Sequence, residues 1–504
     1  MSDTTPHAPL GPEGENPPVT SPAIGQDEWV ARHLDRRLPP RLGKVEERLR
    51  QVPWWAWLTL FIGAACMLPV FSSSGYVRRI GFDTVLYMML ALGLNVVVGW
   101  GGLLDLGYVA FYGIGAYTYA LLASDHYDIH LWSVVVIPIV VVIGAAAGFL
   151  LGLPSRRLSG DYLAIVTLFF LQLFQTLTVN GDQFFFDLGN VTGGANGILN
   201  VDPLDFFGRE IAVQHNGVFA VDYYFIALGF FAVVFVALRF VNLSRTGRAW
   251  RSQREDPLAA EVMGMPVNWL KLLSFAFGAA VAALTGVLFA SLNASVFPLS
   301  FYFVLLITVY TMVILGGQGS QAGVVLGAII ISVLLELLRD PAHARDVFYV
   351  CVAAGLVLAF WRRWKVGLGV AGGLVAFGFV VHAIAQAIDT SWTAGSGGAC
   401  DPTAGTCPSN WVDVWVALPD DLASWIAPVS YIGLIVAALT LTVLTGWWRI
   451  VLLVPTLYLA AFVWENVMLA KPEPTRYIVI GVILISLMIL RPNGLLGERR
   501  VEIV

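Results

Sequence analysis

One apolar run after another, each of about 18–22 residues, fills most of this chain. The run "VVVIPIVVVIGAAAGFLLGL", residues 134–153, is apolar on every face and carries no charge. Roughly 20 such residues in a helix cross the roughly 30 Å of bilayer hydrocarbon. Inside lipid every backbone N–H and C=O has to be satisfied within the protein, which leaves helices or a closed barrel. Barrel strands alternate apolar and polar residues over segments of about ten, and these runs do not alternate. The chain therefore reads as an all-α, polytopic membrane protein. With 58% hydrophobic and 12% charged residues and a mean hydropathy of +0.76, its bulk excludes an ordinary soluble core. A net charge of −5 argues against a nucleic-acid partner, and the apolar runs make the lipid bilayer the main surroundings.

About fourteen spans are predicted, near 53–71, 82–99, 107–123, 132–151, 161–179, 222–240, 270–291, 302–316, 322–338, 347–361, 366–388, 429–446, 449–469 and 476–490. Residues 1–27 are rich in Pro, Gly and acids and read as a disordered tail. Residues 28–50 hold seven Lys/Arg against four Asp/Glu, with Leu42, Val45 and Leu49 at helical spacing, a pattern for a basic amphipathic segment on the membrane surface. The apolar stretch from Pro53 is long and follows a polar leader, which argues against a signal peptide. Basic residues after the fourth, sixth, tenth, twelfth and fourteenth spans fall on one side, among them Arg156, Arg248, Arg363, Arg449 and Arg500. By the positive-inside rule both termini are then cytoplasmic. The same bookkeeping puts residues 389–428 outside, where Cys400 and Cys407 either close a small disulfide loop or stay free.

The chain contains no phosphate loop, no H-E-x-x-H, no G-x-S-x-G elbow and no paired Cys/His ligands, so neither catalysis nor a metal site is expected. Ionisable groups within the spans are few. Glu336 and Glu465 are expected to reach water at helix ends, His382 lies near the outer end of its helix, and Asp161 favours the start of the fifth span. The conspicuous polar stretch is "RTGRAWRSQREDPLAAEVMGM", residues 245–265. In it Asp256 is a helix N-cap, Pro257 the first helical residue, and Gly264 the stop. A two-turn cytoplasmic helix with Ala259 and Ala260 exposed suits insertion into a groove on a partner; a solvated loop helix is the alternative.

At these residues the chain resembles the LivM-type permease subunits of branched-chain amino acid ABC importers. The likeness extends to "LALGLNVVVGWGGLLDLGYVAFYGIGAY", "SGDYLAIVTLFFLQLF", "VTGGANGI", "MVILGGQGSQAGVVLGAII" and "LISLMILRPNGLLG". It implies an importer built from two permeases, two ATPases and an extracytoplasmic binding protein, in the inner membrane of a prokaryote. ATP and Mg would belong to the ATPase, and this chain would hold no cofactor. A heterodimer with a related permease is favoured over a homodimer. The resemblance further implies that residues 251–264 form the coupling helix. Arg248, Arg251, Arg254, Glu255, Asp256 and Glu261 would supply polar contacts to the ATPase, while Ala259, Ala260 and Gly264 allow close approach. Two departures are the N-terminal leader and residues 340–475, read as two inserted hairpins of four helices. The permease core would then be residues 51–339 and the final helix in 476–504, ten spans in all.

Candidate path or gate residues come from polar and glycine-rich interruptions. "GWGGLLDLGY" with Gly102, and "GGQGSQAG" with Gly316, Gly317 and Gly319, lie near the cytoplasmic side; they either shape an inner gate or form tight turns. Thr192, Gly193, Gly194, Asn196 and Gly197 of "VTGGANGI" either offer N–H groups to a passing carboxylate or form a packed loop. Asn95, Thr167, Gln172 and Gln175 face a central cavity or bond a neighbouring helix, the two glutamines sharing one face. So few charges suit a zwitterion selected upstream that passes without a strong stop. The rivals are a urea or amide importer permease, an ion-coupled secondary transporter acting alone, and a membrane enzyme or scaffold built on the inserted unit.

Overall fold

The computed structural model describes residues 54–71, 74–156, 158, 160–181, 190–206, 208–215, 218–219, 221–388, 392–393, 412, 415–419, 425–444, 446–469, 471–490 and 494–497. The leader and the pair Cys400 and Cys407 lie outside these residues. The chain forms two compact units, residues 1–67 and 68–504. Of the first, the described part is the beginning of α1 (Trp54–Phe71), an apolar helix without a charged residue.

The second unit contains α2 (Gly75–Leu94), running on through a π-helical turn (Asn95–Trp100), then α3 (Tyr108–Leu122), α4 (Ser133–Ser155), α5 (Asp161–Val179) and α6 (Val221–Leu243). Two short helices follow, α7 (Arg245–Glu255) and α8 (Pro257–Val262), before α9 (Val267–Asn293), α10 (Phe303–Gly316) and α11 (Gln321–Leu337). The series closes with α12 (Pro341–Phe360), α13 (Trp364–Ile388), α14 (Ile426–Val443), α15 (Trp447–Val463, continued by a π turn Trp464–Met468) and α16 (Pro472–Leu490). Each predicted span falls on one of these helices. Ten helices among the described residues, rather than about fourteen, are long and apolar enough to cross a membrane. The shortfall is partly one of length: α3 has 15 residues and α11 has 17.

Packing is organised around α9, whose neighbours include α2, α3 and α4. Lipid tails are as apolar as the side chains, so helices gain from close backbone approach rather than from escaping water. Small residues supply it. Gly144 and Gly148 of α4 lie over Ala283 and Ala279, and Gly115 of α3 lies where a Cβ would stand 2.2 Å from the Ala283 carbonyl oxygen. A hydroxyl pair, Thr84 and Ser332 at 2.8 Å, joins α2 to α11. At the end of the bundle remote from α8, "VTGGANGI" is a packed loop. Thr192 donates to the Thr178 carbonyl at 2.7 Å, Gly193 N–H to Asn190 at 2.8 Å, and Ile198–Leu199 pairs antiparallel with Ser295–Val296.

Helices α12 to α15 expose most of their surface, and α12, α13 and α15 gather around a second apolar cluster that includes Leu374, Trp415, Val416 and Tyr458. Trp361, Trp364, Trp447 and Trp448 are all exposed, as membrane-interface anchors would be. Glu465 departs from its expected place in water. It is 1% exposed, and Arg345 holds it with Nη2 at 2.9 Å and Nε at 3.0 Å. The π turn at Trp464–Met468 carries this carboxylate inward, and α12 supplies the charge that makes its burial tolerable. Asp340 caps α12 through the Ala342 N–H at 3.0 Å, which starts that helix at Pro341, before the predicted 347.

Two stability predictions follow from these contacts. Gly115→Leu, whose neighbours are unyielding backbone, should cost about 1–3 kcal/mol or abolish monodisperse protein, whereas Gly355→Ala, with open space around it, should leave the thermal midpoint in detergent unchanged. Arg345→Met or Glu465→Leu alone should destabilise by about 3–5 kcal/mol, and the double change should recover much of that loss. Equal midpoints for single and double variants would show that the pair is not energetically coupled.

Candidate coupling surface

The polar stretch of residues 245–265 folds as two helices with separate roles. Ser244 begins α7 by accepting the Gly247 N–H, and the backbone turns at Asp256. Asp256 then caps α8 with one carboxylate oxygen, accepting from Leu258 N–H at 2.9 Å and Ala259 N–H at 3.0 Å. At the far end Gly264 adopts φ 82°, with its N–H on the Glu261 carbonyl at 2.9 Å and the Met265 N–H on the Ala260 carbonyl at 3.0 Å. These two bonds form a Schellman ending, which favours a residue without a Cβ. The cap and the stop lie where the sequence predicts them.

The exposed face differs from the expected one. Ala260 is 3% exposed and packs inward, while Ala259 stays on the surface. Leu258, Val262 and Met263 project outward at 75%, 87% and 78% exposure. Three large apolar side chains on one short capped helix make a knob that water does not favour. Glu255, Asp256 and Glu261 flank it and are exposed.

Three of the four arginines of α7 are engaged within the chain. Arg248 donates to the Leu243 carbonyl at 2.8 Å and Arg251 to the Asn242 carbonyl at 3.1 Å, so both close the free C-terminal carbonyls of α6. Arg254 donates to the Gly99 carbonyl. Trp250, fully buried, donates to the Leu270 carbonyl at 2.8 Å and stacks on Trp100 at 6.3 Å between ring centres. Gln253 reaches the Gly101 carbonyl at 3.3 Å. Helix α7 thus anchors the knob to the end of α2.

That end is a junction of both glycine-rich breaks. Gly101 N–H reaches back five residues to the Val96 carbonyl at 3.0 Å, the signature of the π turn. Asn95, completely buried, accepts the Gly319 N–H at 2.9 Å, and Trp100 Nε1–H donates to the Gly319 carbonyl at 2.9 Å. A Cβ on Gly99 would lie 2.0 Å from the Asn95 side chain, and Gly317 and Gly319 take φ 108° and 93°. The terminal Leu495 and Leu496 N–H groups close the free carbonyls of Leu315 and Gly316 at 2.8 and 3.0 Å. Gly102, φ 67°, packs against Arg254.

Of the remaining candidates, Thr167 accepts the Leu106 N–H at 2.8 Å and ties α5 to this junction. Gln175 is buried and bonds the Phe301 carbonyl at 3.0 Å, but Gln172 is exposed, so the two glutamines do not share an environment. Thr192, Gly193, Gly194, Asn196 and Gly197 lie in the loop at the opposite end, with Asn196 exposed and the N–H groups of Gly193, Gly194 and Gly197 used inside the loop. Asp105 is a residue that reading the sequence misses. It sits in the loop between α2 and α3, wholly buried, with one oxygen accepting the Gly107 N–H at 2.8 Å and the other without a partner among the described residues. Burial pushes its carboxyl up to about 7 against the opposing pull of the Gly107 N–H.

The profile of the family described as "Branched-chain amino acid transport system / permease component" matches residues 77–361. The chain belongs to this family. The chain resembles the high-affinity branched-chain amino acid transport system permease protein LivM of Escherichia coli, at 41% identity over 274 residues, which cover 51% of this chain and 62% of the relative. The probable LivM of Methanocaldococcus jannaschii is 30% identical over 270 residues, 49% of this chain and 72% of the relative. LivH of Escherichia coli is 26% identical over 263 residues, 49% of this chain and 80% of the relative. The chain thus spans about three fifths of the length of the LivM of Escherichia coli. No solved structure matches it. The matched residues run through α12, past the boundary at 340 where the sequence reading opens its inserted segment.

The protonation of Asp105 is testable. Its folded pKa is raised above the unfolded value of about 3.9, so the chain loses stability as pH rises from about 4 to about 7 and levels off beyond. Asp105→Asn should raise the thermal midpoint at pH 8 and leave it unchanged near pH 4. A difference of the same size at both pH values would contradict this assignment.

Proposed function

We propose that this chain is the membrane permease subunit of an ATP-driven importer for branched-chain amino acids, an integral inner-membrane component with both termini cytoplasmic. Family membership supports transport, and one structural observation carries the coupling reading. Leu258, Val262 and Met263 project together from a helix capped at both ends and anchored to the bundle through Trp250, Gln253 and Arg254. A rigid apolar knob rimmed by acids suits a complementary groove on a soluble ATPase. On this reading ATP and Mg are bound by that partner, and a push on α8 alternates the access of the bundle. A second, related permease and an extracytoplasmic binding protein complete the assembly. The relatives are named for branched-chain amino acids, which favours these substrates over urea or amides. Arg248, Arg251 and Arg254 act as internal clamps in this scheme, and Glu255, Asp256 and Glu261 present charge to the partner.

The experiment co-expresses the tagged chain with candidate ATPases and compares wild type with Leu258→Glu/Met263→Glu. The expected result is loss of ATPase co-purification and of ATP-driven leucine uptake, with inserted, monodisperse protein retained. Uptake that persists in the variant without any ATPase would overturn the importer reading and favour a transporter acting alone.

A further inference from the structure

At the end of the bundle remote from α8, the first turns of α2, the start of α10, the end of α11 and the start of α16 enclose a cavity of about 530 Å³. That is within the usual range of small-molecule sites, about 300–1,000 Å³. Its wall combines opposite charges with apolar surface. Asp83 and Glu336 bring carboxylates, Arg476 brings a guanidinium, and Leu86, Leu305 and Leu335 form an aliphatic face.

These charges are only loosely neutralised by the protein. Asp83 is paired with Arg79 at 3.2 Å, but Arg79 also bonds Asn293 at 2.8 Å. Glu336 accepts from the Tyr76 hydroxyl and lies 3.4 Å from Arg339. Arg476 makes one long contact, 3.5 Å, to the exposed Glu473, and its buried Nε–H has no partner among the described residues. A mostly buried guanidinium with spare donors calls for a carboxylate, which it binds in a fork. Two carboxylates on another part of the wall call for a cation. A ligand with both charges and an aliphatic tail satisfies all three surfaces and brings no net charge into the bundle.

We propose that this cavity is a way-station for the transported zwitterion: the carboxylate of an aliphatic α-amino acid meets Arg476, its ammonium meets Asp83 and Glu336, and its side chain lies on Leu86, Leu305 and Leu335. The proposal rests on the importer reading and deepens it. It also departs from the expectation that substrate passes without a stop, because that expectation counted charges along the spans and not those that converge from α2, α11 and α16.

The test uses the purified full chain in nanodiscs with radiolabelled L-leucine. Wild type should bind it saturably, with displacement by L-valine and L-isoleucine and none by isocaproate, which lacks the ammonium, or by leucine methyl ester, which lacks the free carboxylate. Arg476→Met and Asp83→Asn should each weaken binding about tenfold or more, as expected for a lost charge-assisted hydrogen bond, and Arg476→Lys should recover part of it. The displacement profile needs no variant, so misfolding of one variant does not blunt the test. Absence of saturable binding to wild type, or equal displacement by both analogues, overturns the proposal. Leucine uptake by the ATPase-coupled complex is measured in parallel. Uptake without binding condemns the cavity alone, whereas binding without uptake leaves the cavity and condemns the importer reading.

Discussion

A helix interrupted inside a membrane bundle frees backbone groups that no water is at hand to satisfy, and the architecture of this chain depends on how that debt is settled at one place. Helix α2 ends in a π turn and α10 ends at a pair of glycines, and the two interruptions face each other. Asn95 and Trp100 bond both sides of the Gly319 peptide. The terminal Leu495 and Leu496 close the carbonyls that α10 leaves open. The bonds to Gly319 need direct backbone approach, and Gly99 permits it where a Cβ would stand 2.7 Å from the Gly319 nitrogen, while Gly319 itself takes φ 93°. Each break is the other's solvent.

The apolar knob of α8 inherits its rigidity from that junction. Helix α8 has six residues, too few to hold a fixed position by itself. Its position is set by α7, whose Trp250 is stacked on Trp100 and whose Gln253 and Arg254 bond the Gly101 and Gly99 carbonyls. Arg248 and Arg251 fix the other end of α7 to α6. An apolar knob on such a mount is held in a fixed position, whereas the same knob on a loose loop would not be.

Much of this was legible in the sequence, and what was not has a common physical cause. The spans were legible because lipid imposes a length and an apolarity on every helix, and the limits of α8 were legible because an Asx cap and a glycine stop act on their own neighbours. Facing and pairing were not. A two-turn helix does not reveal from its own residues that Ala260 rather than Leu258 turns inward. Arginines after a span read equally as docking charges and as clamps on α6. Glu465 looks solvated until α12 brings Arg345 across 120 residues of chain. Asp105 lies in a loop, where periodicity carries no burial signal. Each of these depends on non-local packing.

Helix α2 joins the cavity to the anchored end of α7. Its first turns carry Asp83 on the cavity wall, and its last turn is the π turn that receives α7. A straight α-helix between them would act as a rod and carry displacement without altering hydrogen bonding. A π turn is different: it stores one extra residue and differs from α geometry by a local shift of bonding. Conversion between the two would rotate Asn95 and Trp100 relative to Gly319, and with them the clasp between α2 and α10. Coupling between distant sites requires an element with two discrete arrangements that both sites bias. The π turn has the position for that role, with the apolar knob of α8 bearing on it through Trp250 and Arg254 and the cavity lying farther along α2.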